Sequence, residues 1–331
     1  MKAIVIERYG PPERLELREV LVPAPRPNEV LVRVHAVSVN DVDWSIVTGR
    51  PFFLIRMLYG FRKPRVRIAG GDIAGRIAEV GSAVSAFTPG DEVYGDLCEK
   101  GFRGFAEYVC APEACLTRKP PRMTFEQAAS IPQAGMLAVQ GLIDVGRIQR
   151  GQTLLLNGAG GGVGTIALQI AKQYGVEITV VDKEGKLDML RRLGARHVID
   201  YRAEDFTRSG RQYDLILDTR STRPPWAYLR ALTPGGTYVT VGGVTRRLLQ
   251  LAMPGMLIAR ASGKRLALVG LKPNKDLAYL NDLFDAGRFV PVIDSVYPLA
   301  RVPEALARFG RGERTWFAPA YLCDLRHLWP W

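Results

Sequence analysis

Residues 153–182, TLLLNGAGGGVGTIALQIAKQYGVEITVVD, place five glycines in the seven positions 158–164, between two apolar segments of different periodicity. The run TLLLN predicts a buried strand. Val163, Ile166, Ala167 and Ile170 follow at the spacing of one helix face, and EITVVD predicts a second strand. The stretch therefore predicts a strand–turn–helix–strand unit with a glycine-rich turn.

This glycine-rich turn is suited to a cofactor pyrophosphate. A glycine at the strand end permits a sharp turn, central glycines let backbone N–H groups approach an anion, and a last glycine permits close packing of the helix. The positive end of the following helix favours a phosphate. The alternative is a structural corner without a ligand. The residues expected to bind the cofactor here are Gly158, Gly160, Gly161, Gly162, Val163 and Gly164.

Composition indicates an ordinary globular protein. The chain has 331 residues, of which 47% are apolar and 24% charged, enough for about two domains. We expect a cytoplasmic protein, because no apolar run spans a bilayer and charged residues interrupt the amino terminus. Four scattered cysteines and three scattered histidines form no metal-binding pattern. No metal site is expected from these residues.

The net charge of +12 comes mostly from arginines spread along the chain. This spread favours a compositional bias over a nucleic-acid surface, and we expect no nucleic-acid partner. One segment differs, RPFFLIRMLYGFRKPRVR at residues 50–67, where basic, aromatic and aliphatic residues mix. It could form a lid over a pocket or a patch that contacts a membrane surface.

The pattern of predicted secondary structure changes near residue 135. Short β-type runs separated by Gly/Pro turns fill the first 120 residues, and TFEQ at 124–127 predicts a helix with a capping box. Strands then alternate with helices up to about residue 270, which indicates a parallel sheet. We predict a β-rich domain at 1–124, a Rossmann doubly wound α/β domain at 125–270, and a return to the first domain at 271–331.

The whole order of motifs resembles the zinc-independent quinone oxidoreductase branch of the medium-chain dehydrogenase/reductase superfamily. The similarity rests on AGGDIAGRIAEVGSAVSAFTPGDEVYG, RGFAEYVCAPE, NGAGGGVGTIALQIAKQYG, GARHVIDY and LTPGGTYVTVGG. It implies a GroES-like β-rich catalytic domain in two chain segments, a Rossmann domain, and a cofactor and substrate cleft between them. It also implies NADH or NADPH as the cofactor, a small quinone or enone as the substrate, and possible homodimers.

Zinc-dependent relatives bind a catalytic metal through Cys, His and Cys. The matching places here hold Asn40, Gly71 and Gln133 or its neighbours, so the resemblance implies no zinc. Without a Lewis acid, the substrate must be activated already, as in a quinone or a C=C conjugated to a carbonyl. Asn40 could donate a hydrogen bond to the developing enolate, and Asp43 and Trp44 could shape the pocket. Their structural alternatives are a turn-forming Asn, an exposed Asp and a core Trp.

Cofactor choice depends on the end of the second Rossmann strand. Asp182 is suited to the ribose 2′-OH of NADH and would repel a 2′-phosphate. Lys186 and Tyr201 stand where some relatives hold that phosphate, or else they are a solvated helix start and a strand-end aromatic. The acid acts at contact distance, whereas flexible lysines are screened by solvent, so we expect NADH. Further cofactor-binding candidates are Val241, Gly242 and Gly243.

Three departures from the family pattern bear on activity. Relatives have a small-residue loop where this chain has Thr219–Pro225, a Thr where it has Leu137, and a closing strand where it has RTWFAPAYLCDLRHLWPW. Two alternatives to a quinone or enone reductase therefore stay open. One is a cofactor-binding protein with little turnover, acting as a regulatory or membrane-associated partner. The other is a biosynthetic tailoring reductase for one bulky enone.

Overall fold

A computed structural model of the protein describes residues 1–243, 245–251, 255–312 and 320–322. The chain divides into two units. Unit 1 comprises Met1–Gln133, Pro273–Asp285 and the described residues from Ile293 on, and unit 2 comprises Ala134–Lys272 and Ala286–Val292. The β-rich unit is therefore assembled from separated parts of the chain. The limits 1–124, 125–270 and 271–331 for the domains stay a prediction.

The amino-terminal part of unit 1 is a β structure. Its main sheet is antiparallel, in the order β6-β3-β4-β5-β7, and a separate antiparallel pair joins β1 to β2. On β3 the buried Val32, Val34 and Ala36 alternate with the less buried Arg33 and His35, as expected for a half-buried strand. The strands are β1 (Lys2–Val5), β2 (Glu16–Glu19), β3 (Glu29–Val37), β4 (Asp72–Val80), β5 (Glu92–Asp96), β6 (Tyr108–Pro112) and β7 (Thr117–Arg118).

Three helices interrupt these strands: α1 (Asp41–Thr48), α2 (Phe52–Tyr59) and α3 (Phe125–Ala129). The capping box predicted for α3 is confirmed, since Thr124 and Gln127 bond reciprocally. Helices α1 and α2 were not predicted, because both are short and their apolar residues follow no clear helical period. Glycines end both of them: Gly49 at φ 68° after α1 and Gly60 at φ 114° after α2.

Unit 2 contains a parallel sheet of six strands in the order β10-β9-β8-β11-β12-β13. Numbered within the unit, this order is 3-2-1-4-5-6, which is the Rossmann topology, and it confirms the predicted doubly wound fold. The order reverses between β8 and β11, so their carboxyl ends flank the crevice where such folds bind ligands. The strands are β8 (Thr153–Asn157), β9 (Glu177–Asp182), β10 (His197–Asp200), β11 (Tyr213–Asp218), β12 (Leu232–Thr240) and β13 (Arg265–Leu268).

The helices of this part of the chain are α4 (Pro132–Val139), α5 (Gly162–Lys172), α6 (Glu184–Arg192), α7 (Pro225–Arg230), α8 (Thr245–Gln250) and α9 (Met256–Ala261). Beyond Val139, Gln140–Val145 form a π-helical turn that continues α4. Gly141 lies in that turn, and a Cβ there would lie 2.8 Å from Leu217 on β11. Glycine thus permits close packing of the turn on the sheet.

The carboxyl-terminal part of unit 1 contains α10 (Leu277–Asp285), β14 (Val296–Pro298), α11 (Val302–Gly310) and β15 (Ala320–Leu322). Strand β15 pairs in parallel with β14. The expectation that the chain lacks a closing strand is therefore wrong, because backbone pairing does not require the family's sequence pattern at this place. Cys323 and the rest of the carboxyl terminus lie outside the described residues. None of the described helices is both long and apolar enough to cross a lipid bilayer.

Candidate functional site

The glycine-rich loop begins directly after β8. Gly158 has φ 77°, and its N–H donates to the Val181 carbonyl over 2.9 Å. A Cβ on Gly158 would lie 2.3 Å from the Thr219 hydroxyl, so both the conformation and the space require glycine. The loop therefore turns sharply between two strand ends, as the sequence predicted.

Two further glycines of the loop have different surroundings. At Gly161, the residue that precedes α5, a Cβ would meet just one atom of the described residues within 4 Å, apart from its chain neighbours: the Gly158 carbonyl oxygen at 3.5 Å. At Gly164 a Cβ would lie 2.4 Å from the Ala159 Cα and 2.6 Å from its carbonyl carbon. Gly164 is therefore needed for packing of α5 on the loop, whereas Gly161 borders open space at the start of α5.

The Asp182 carboxylate at the end of β9 is bonded to this loop. Its Oδ2 accepts from the Gly160 N–H at 2.8 Å and its Oδ1 from the Lys183 N–H at 2.9 Å. Lys186 Nζ donates to the Gly160 carbonyl at 2.7 Å and lies 3.8 Å from Asp182 Oδ1. Lys186 is only 6% exposed, so the alternative interpretation of Lys186 as a solvated helix start is wrong. Its side chain is long enough to fold back onto the loop.

Tyr201 follows β10 and is largely exposed. Its N–H donates to the Asp182 carbonyl at 3.2 Å, which places it beside the end of β9. The Arg202 guanidinium lies over the Tyr201 ring at 5.9 Å. The structure therefore brings Asp182, Lys186 and Tyr201 together at the carboxyl ends of β9 and β10. Their role in cofactor binding stays a prediction.

The loop after β11, residues 219–225, is ordered by one buried carboxylate. Asp218 Oδ1 accepts from the Asn157 side chain at 2.8 Å and from the Ser221 N–H at 3.0 Å. Its Oδ2 accepts from the Tyr238 hydroxyl at 2.8 Å. The unusual loop sequence is therefore accommodated by a hydrogen-bond network.

Arg220 in this loop is a candidate that the sequence did not identify. Its Cγ would lie 2.7 Å from a Cβ on Gly158, so its stem passes beside the glycine-rich loop. The side chain is exposed. Among the cofactor candidates at the end of β12, the Val241 N–H donates to the Asp218 carbonyl at 3.1 Å, and a Cβ on Gly243 would lie 2.3 Å from Ser221. The ends of β8, β11 and β12 therefore meet around Gly158 and Arg220.

In unit 1 the three catalytic candidates lie at the start of α1. Asn40 precedes the helix, and its Nδ2 donates to Asp72 Oδ2 at 3.0 Å and to the Ser38 hydroxyl at 3.1 Å. Asp43 is fully buried rather than exposed, and it accepts from the Asn40 and Gly70 N–H groups at 2.9 and 2.8 Å. Burial raises the pKa of Asp43 to about 7.

Trp44 is half-buried, and a Cβ on Gly310 would lie 2.2 Å from its Nε1. The Trp44 ring therefore packs against the end of α11. In these contacts the Asn40 amide and the Asp43 carboxylate form hydrogen bonds within the protein, and part of the Trp44 ring packs against it. Their catalytic assignments stay predictions.

A second cluster lies close to Asn40. The ligand atoms of Asp72, Asp96 and Cys98 lie within 4.8 Å of one another. Among the described residues, Asp72 Oδ1 and Asp96 Oδ2 are buried without a hydrogen-bond partner. Burial raises the pKa of both carboxyl groups and of the Cys98 thiol. The Asp96 charge raises the pKa of Asp72 further, and both carboxylates raise that of Cys98. This cluster was not predicted, because the pairing of β4 with β5 brings Asp72 opposite Asp96.

The three positions expected to match the catalytic zinc ligands of relatives hold two amide side chains and a glycine. Both N–H groups of the Asn40 amide are used internally, and Gly71 has no side chain. A Cβ on Gly71 would lie 2.2 Å from the Cys98 sulfur, and Gln133 Nε2 lies 4.0 Å from that sulfur. None of these three residues offers a thiolate, imidazole or carboxylate.

Two family descriptions match the chain: alcohol dehydrogenase GroES-like domain at residues 26–121 and zinc-binding dehydrogenase at residues 193–315. The chain is 30% identical over 329 residues to the chloroplastic quinone-oxidoreductase QR1 of Triphysaria versicolor, covering 95% of this chain and 96% of the relative. This chain belongs to the quinone oxidoreductases of the medium-chain dehydrogenase/reductase superfamily. As a member of this family it is an NAD(P)H-dependent oxidoreductase.

Two further comparisons agree with this family. The human mitochondrial NAD(P)H oxidoreductase RTN4IP1 is 32% identical, with 94% of this chain and 87% of the relative covered. Among solved structures, a quinone oxidoreductase from Coxiella burnetii superposes with a TM-score of 0.85 at 27% identity, covering 98% of this chain and 99% of that one. The predicted family and fold class are therefore confirmed.

Proposed function

We propose that this oxidoreductase transfers hydride from NADH to a small quinone or to a C=C conjugated to a carbonyl, without a catalytic zinc ion. The observation that carries the proposal is the open glycine-rich loop at the reversal point of a six-stranded Rossmann sheet, in a chain of the quinone oxidoreductase family. The bound nicotinamide supplies the hydride. The residues of this chain bind and orient it.

The glycine-rich loop is the proposed site of the cofactor pyrophosphate. The space beside Gly161 leaves backbone N–H groups at the start of α5 accessible to an anion. Arg220 is exposed and its stem passes beside Gly158, so its guanidinium can add positive charge to this region. We therefore assign Arg220 to the cofactor phosphates, together with the loop.

The preference for NADH is proposed from Asp182. Its carboxylate stands at the end of β9, where it can accept from a ribose hydroxyl and repel a 2′-phosphate. Lys186 supports this choice, because its ammonium is already bonded to the Gly160 carbonyl and lies near Asp182. The ammonium group of Lys186 thus stabilises the loop rather than a 2′-phosphate.

Zinc independence is proposed from the chemistry of the buried cluster. Asp72 Oδ2 accepts from Asn40 Nδ2 and the Gln133 N–H, and Asp96 Oδ1 accepts from the Cys98 N–H. The raised pKa values of both carboxyl groups favour their protonated forms, which do not bind a metal ion. Without a Lewis acid, the substrate must be a quinone or an enone, in which the charge that develops after hydride addition moves onto oxygen.

We propose that Asn40 and Asp43 position the start of α1 rather than exchange protons with the substrate. Both N–H groups of the Asn40 amide are occupied, and the Asp43 carboxylate is fully buried with bonds to backbone N–H groups. Trp44 shapes the same region through its contact with α11. Solvent, or a hydroxyl of the cofactor, then delivers the proton.

The second candidate function is cofactor binding with little turnover, and the loop 219–225 favours it because its sequence departs from the family pattern. A reductase for one bulky enone is the third. Cytoplasmic location and homodimer formation also stay proposals, and the two relatives named above are chloroplastic and mitochondrial.

The test is oxidation of NADH and NADPH by purified protein with a panel of small quinones and enones. Steady oxidation with at least one acceptor supports the reductase, whereas tight cofactor binding without oxidation supports the second candidate. Activity on bulky enones alone supports the third. Arg220→Gln should weaken cofactor binding about tenfold or more. Arg230→Gln, an exposed arginine at the end of α7, is the matched control. If both variants bind the cofactor equally tightly, Arg220 is not part of the cofactor site.

A further inference from the structure

An aromatic and basic surface lies on unit 1 at residues 50–67, here named the α2 patch. Helix α2 buries only Ile55, whereas Phe53 is 80% exposed and Met57, one turn later, 72%. Phe61, just past the helix, is 61% exposed. Exposure of so many large apolar side chains within one short segment is unusual for a protein surface and indicates an interaction site.

The apolar side chains of the α2 patch form a cluster. The Phe52 ring lies 5.4 Å from the Phe53 ring and 5.9 Å from the Phe61 ring, both in edge-on geometry. The Arg56 guanidinium lies 4.4 Å over Phe52. Aromatic groups held in this way lose little further conformational freedom when a partner covers them.

The backbone of the patch is also fixed. The Tyr9 hydroxyl donates to the Gly60 carbonyl at 2.7 Å, and the Arg65 N–H donates to the Tyr59 carbonyl at 2.6 Å. Arg56 lies over the Tyr9 ring at 4.7 Å. The exposed face of α2 is thus presented by a segment that is anchored on its inner side.

Positive charge is concentrated in this segment. Residues 50–67 contain no acidic side chain and six basic ones: Arg50, Arg56, Arg62, Lys63, Arg65 and Arg67. Arg67 approaches Glu7 at 3.9 Å. Among the described residues, Arg50, Arg62, Lys63 and Arg65 have no ion-pair partner, and all four are exposed. Half of the net charge of the whole chain is therefore carried by a short segment with exposed aromatic rings.

We propose that the α2 patch binds the surface of an anionic phospholipid bilayer. Its aromatic and aliphatic side chains enter the interfacial region, and its basic side chains contact the headgroup phosphates. With eight residues, α2 suits a position in the plane of the interface.

Other occupants fit the patch less well. A two-fold contact between two copies through the patch would bring the same basic groups together. A nucleic-acid backbone would leave Met57 and Leu58 exposed, because those side chains gain nothing from phosphates. A bilayer accommodates both features at once, since apolar chains lie directly beneath a layer of negative charge.

Vesicle sedimentation tests the proposal without cofactor or substrate, and so independently of the proposed reductase activity. Wild-type protein should sediment with phosphatidylcholine vesicles that contain phosphatidylglycerol, and not with pure phosphatidylcholine vesicles. Phe53→Ser with Phe61→Ser should reduce the partition coefficient about tenfold or more. The matched control is Leu21→Ser with Val22→Ser, which removes two exposed apolar side chains elsewhere on unit 1 and should bind like wild type.

Removal of basic side chains tests whether they contact the headgroup phosphates. Arg62→Gln with Lys63→Gln should weaken vesicle binding about fivefold for each charge removed, and high salt should weaken wild-type binding in the same sense. Arg150→Gln with Arg230→Gln removes two exposed charges from unit 2 as a control. Circular dichroism and melting temperatures check that each variant is folded.

Two outcomes would overturn the proposal. The first is wild-type protein that does not sediment with anionic vesicles. The second is a folded Phe53→Ser, Phe61→Ser variant that binds as tightly as wild type. If the wild type does not sediment but forms dimers that these aromatic substitutions dissociate, as seen by light scattering, the patch is a contact between copies.

Discussion

Two glycines of the same loop, three positions apart, provide a test that separates cofactor binding from folding. In Gly161→Ala the new Cβ lies 3.5 Å from the nearest other atom, the Gly158 carbonyl oxygen, which is ordinary contact. The φ of −97° suits alanine as well as glycine. The free energy of unfolding should therefore stay within about 0.5 kcal/mol of wild type or rise slightly.

The effect of Gly161→Ala on the cofactor should be large. A methyl group at the start of α5 occupies the space proposed for a phosphate oxygen and displaces it from the backbone N–H groups. Loss of one hydrogen bond to a charged group costs about 1.5–3 kcal/mol, which raises the cofactor Kd by about 10- to 150-fold.

Gly164→Ala should instead lower the stability of the fold. Its Cβ would lie between 2.4 and 2.6 Å from three backbone atoms of Ala159, which cannot rotate away. Either the loop or α5 must shift, and such overpacking costs about 1–3 kcal/mol. At about 2–4 °C per kcal/mol, the melting temperature should fall by about 2–12 °C.

The assays are calorimetric titration with NADH and NADPH, and thermal unfolding followed by circular dichroism. A folded Gly161→Ala protein with unchanged Kd for both cofactors would refute the assignment of the loop to the pyrophosphate. A Gly164→Ala protein with unchanged melting temperature would refute the packing argument. Because the chemical change is identical, each variant is the control for the other.

Three further predictions follow from the same contacts. Asp182→Ser should raise the ratio of kcat/KM for NADPH over NADH about tenfold; a wild type that already prefers NADPH tenfold, or an unmoved ratio, would show that Asp182 is not the selector. Purified protein should contain far less than one zinc ion per chain and keep its activity in a chelator; stoichiometric zinc that is lost in Asp96→Asn would instead make the buried cluster a metal site. The pKa of Asp43 is raised to about 7 from an ordinary 3.8, so between these values the folded state keeps a proton that the unfolded chain releases. The free energy of unfolding should therefore fall as pH rises from about 4 to 7, by up to about 1.4 kcal/mol per pH unit. Measured by denaturant unfolding at several pH values, this fall should be smaller in Asp43→Asn, and an equal fall in both proteins would contradict the assignment.

Much of unit 2 was determined by local sequence. The strand and helix periods around residues 153–182, the glycines of the turn and the acid at the end of β9 specify a βαβ unit, because each depends on neighbours close in sequence. The capping box at Thr124 is equally local. The assembly of unit 1 from separated parts of the chain was expected from the family resemblance.

The tertiary structure decided which side chains are available for chemistry. Asp72, Asp96 and Cys98 meet because neighbouring strands bring them together, and no spacing in the sequence shows that pairing. The same holds for Lys186, for which the sequence left a phosphate ligand and a solvated helix start open, and which the fold buries against Gly160. A long lysine side chain can extend into solvent or fold back onto the protein, and the position of the glycine-rich loop decides which of the two occurs.

Arg220 illustrates the same limit. From sequence it was an unexplained basic residue in an altered loop, and its place beside Gly158 follows from the parallel pairing of β11 with β8. The sequence alone thus determined the kinds of elements, their order and the presence of a glycine-rich turn after β8, since these depend on local patterns. The neighbours of each charged side chain were decided only by strand order and burial, because those contacts join residues far apart in the chain.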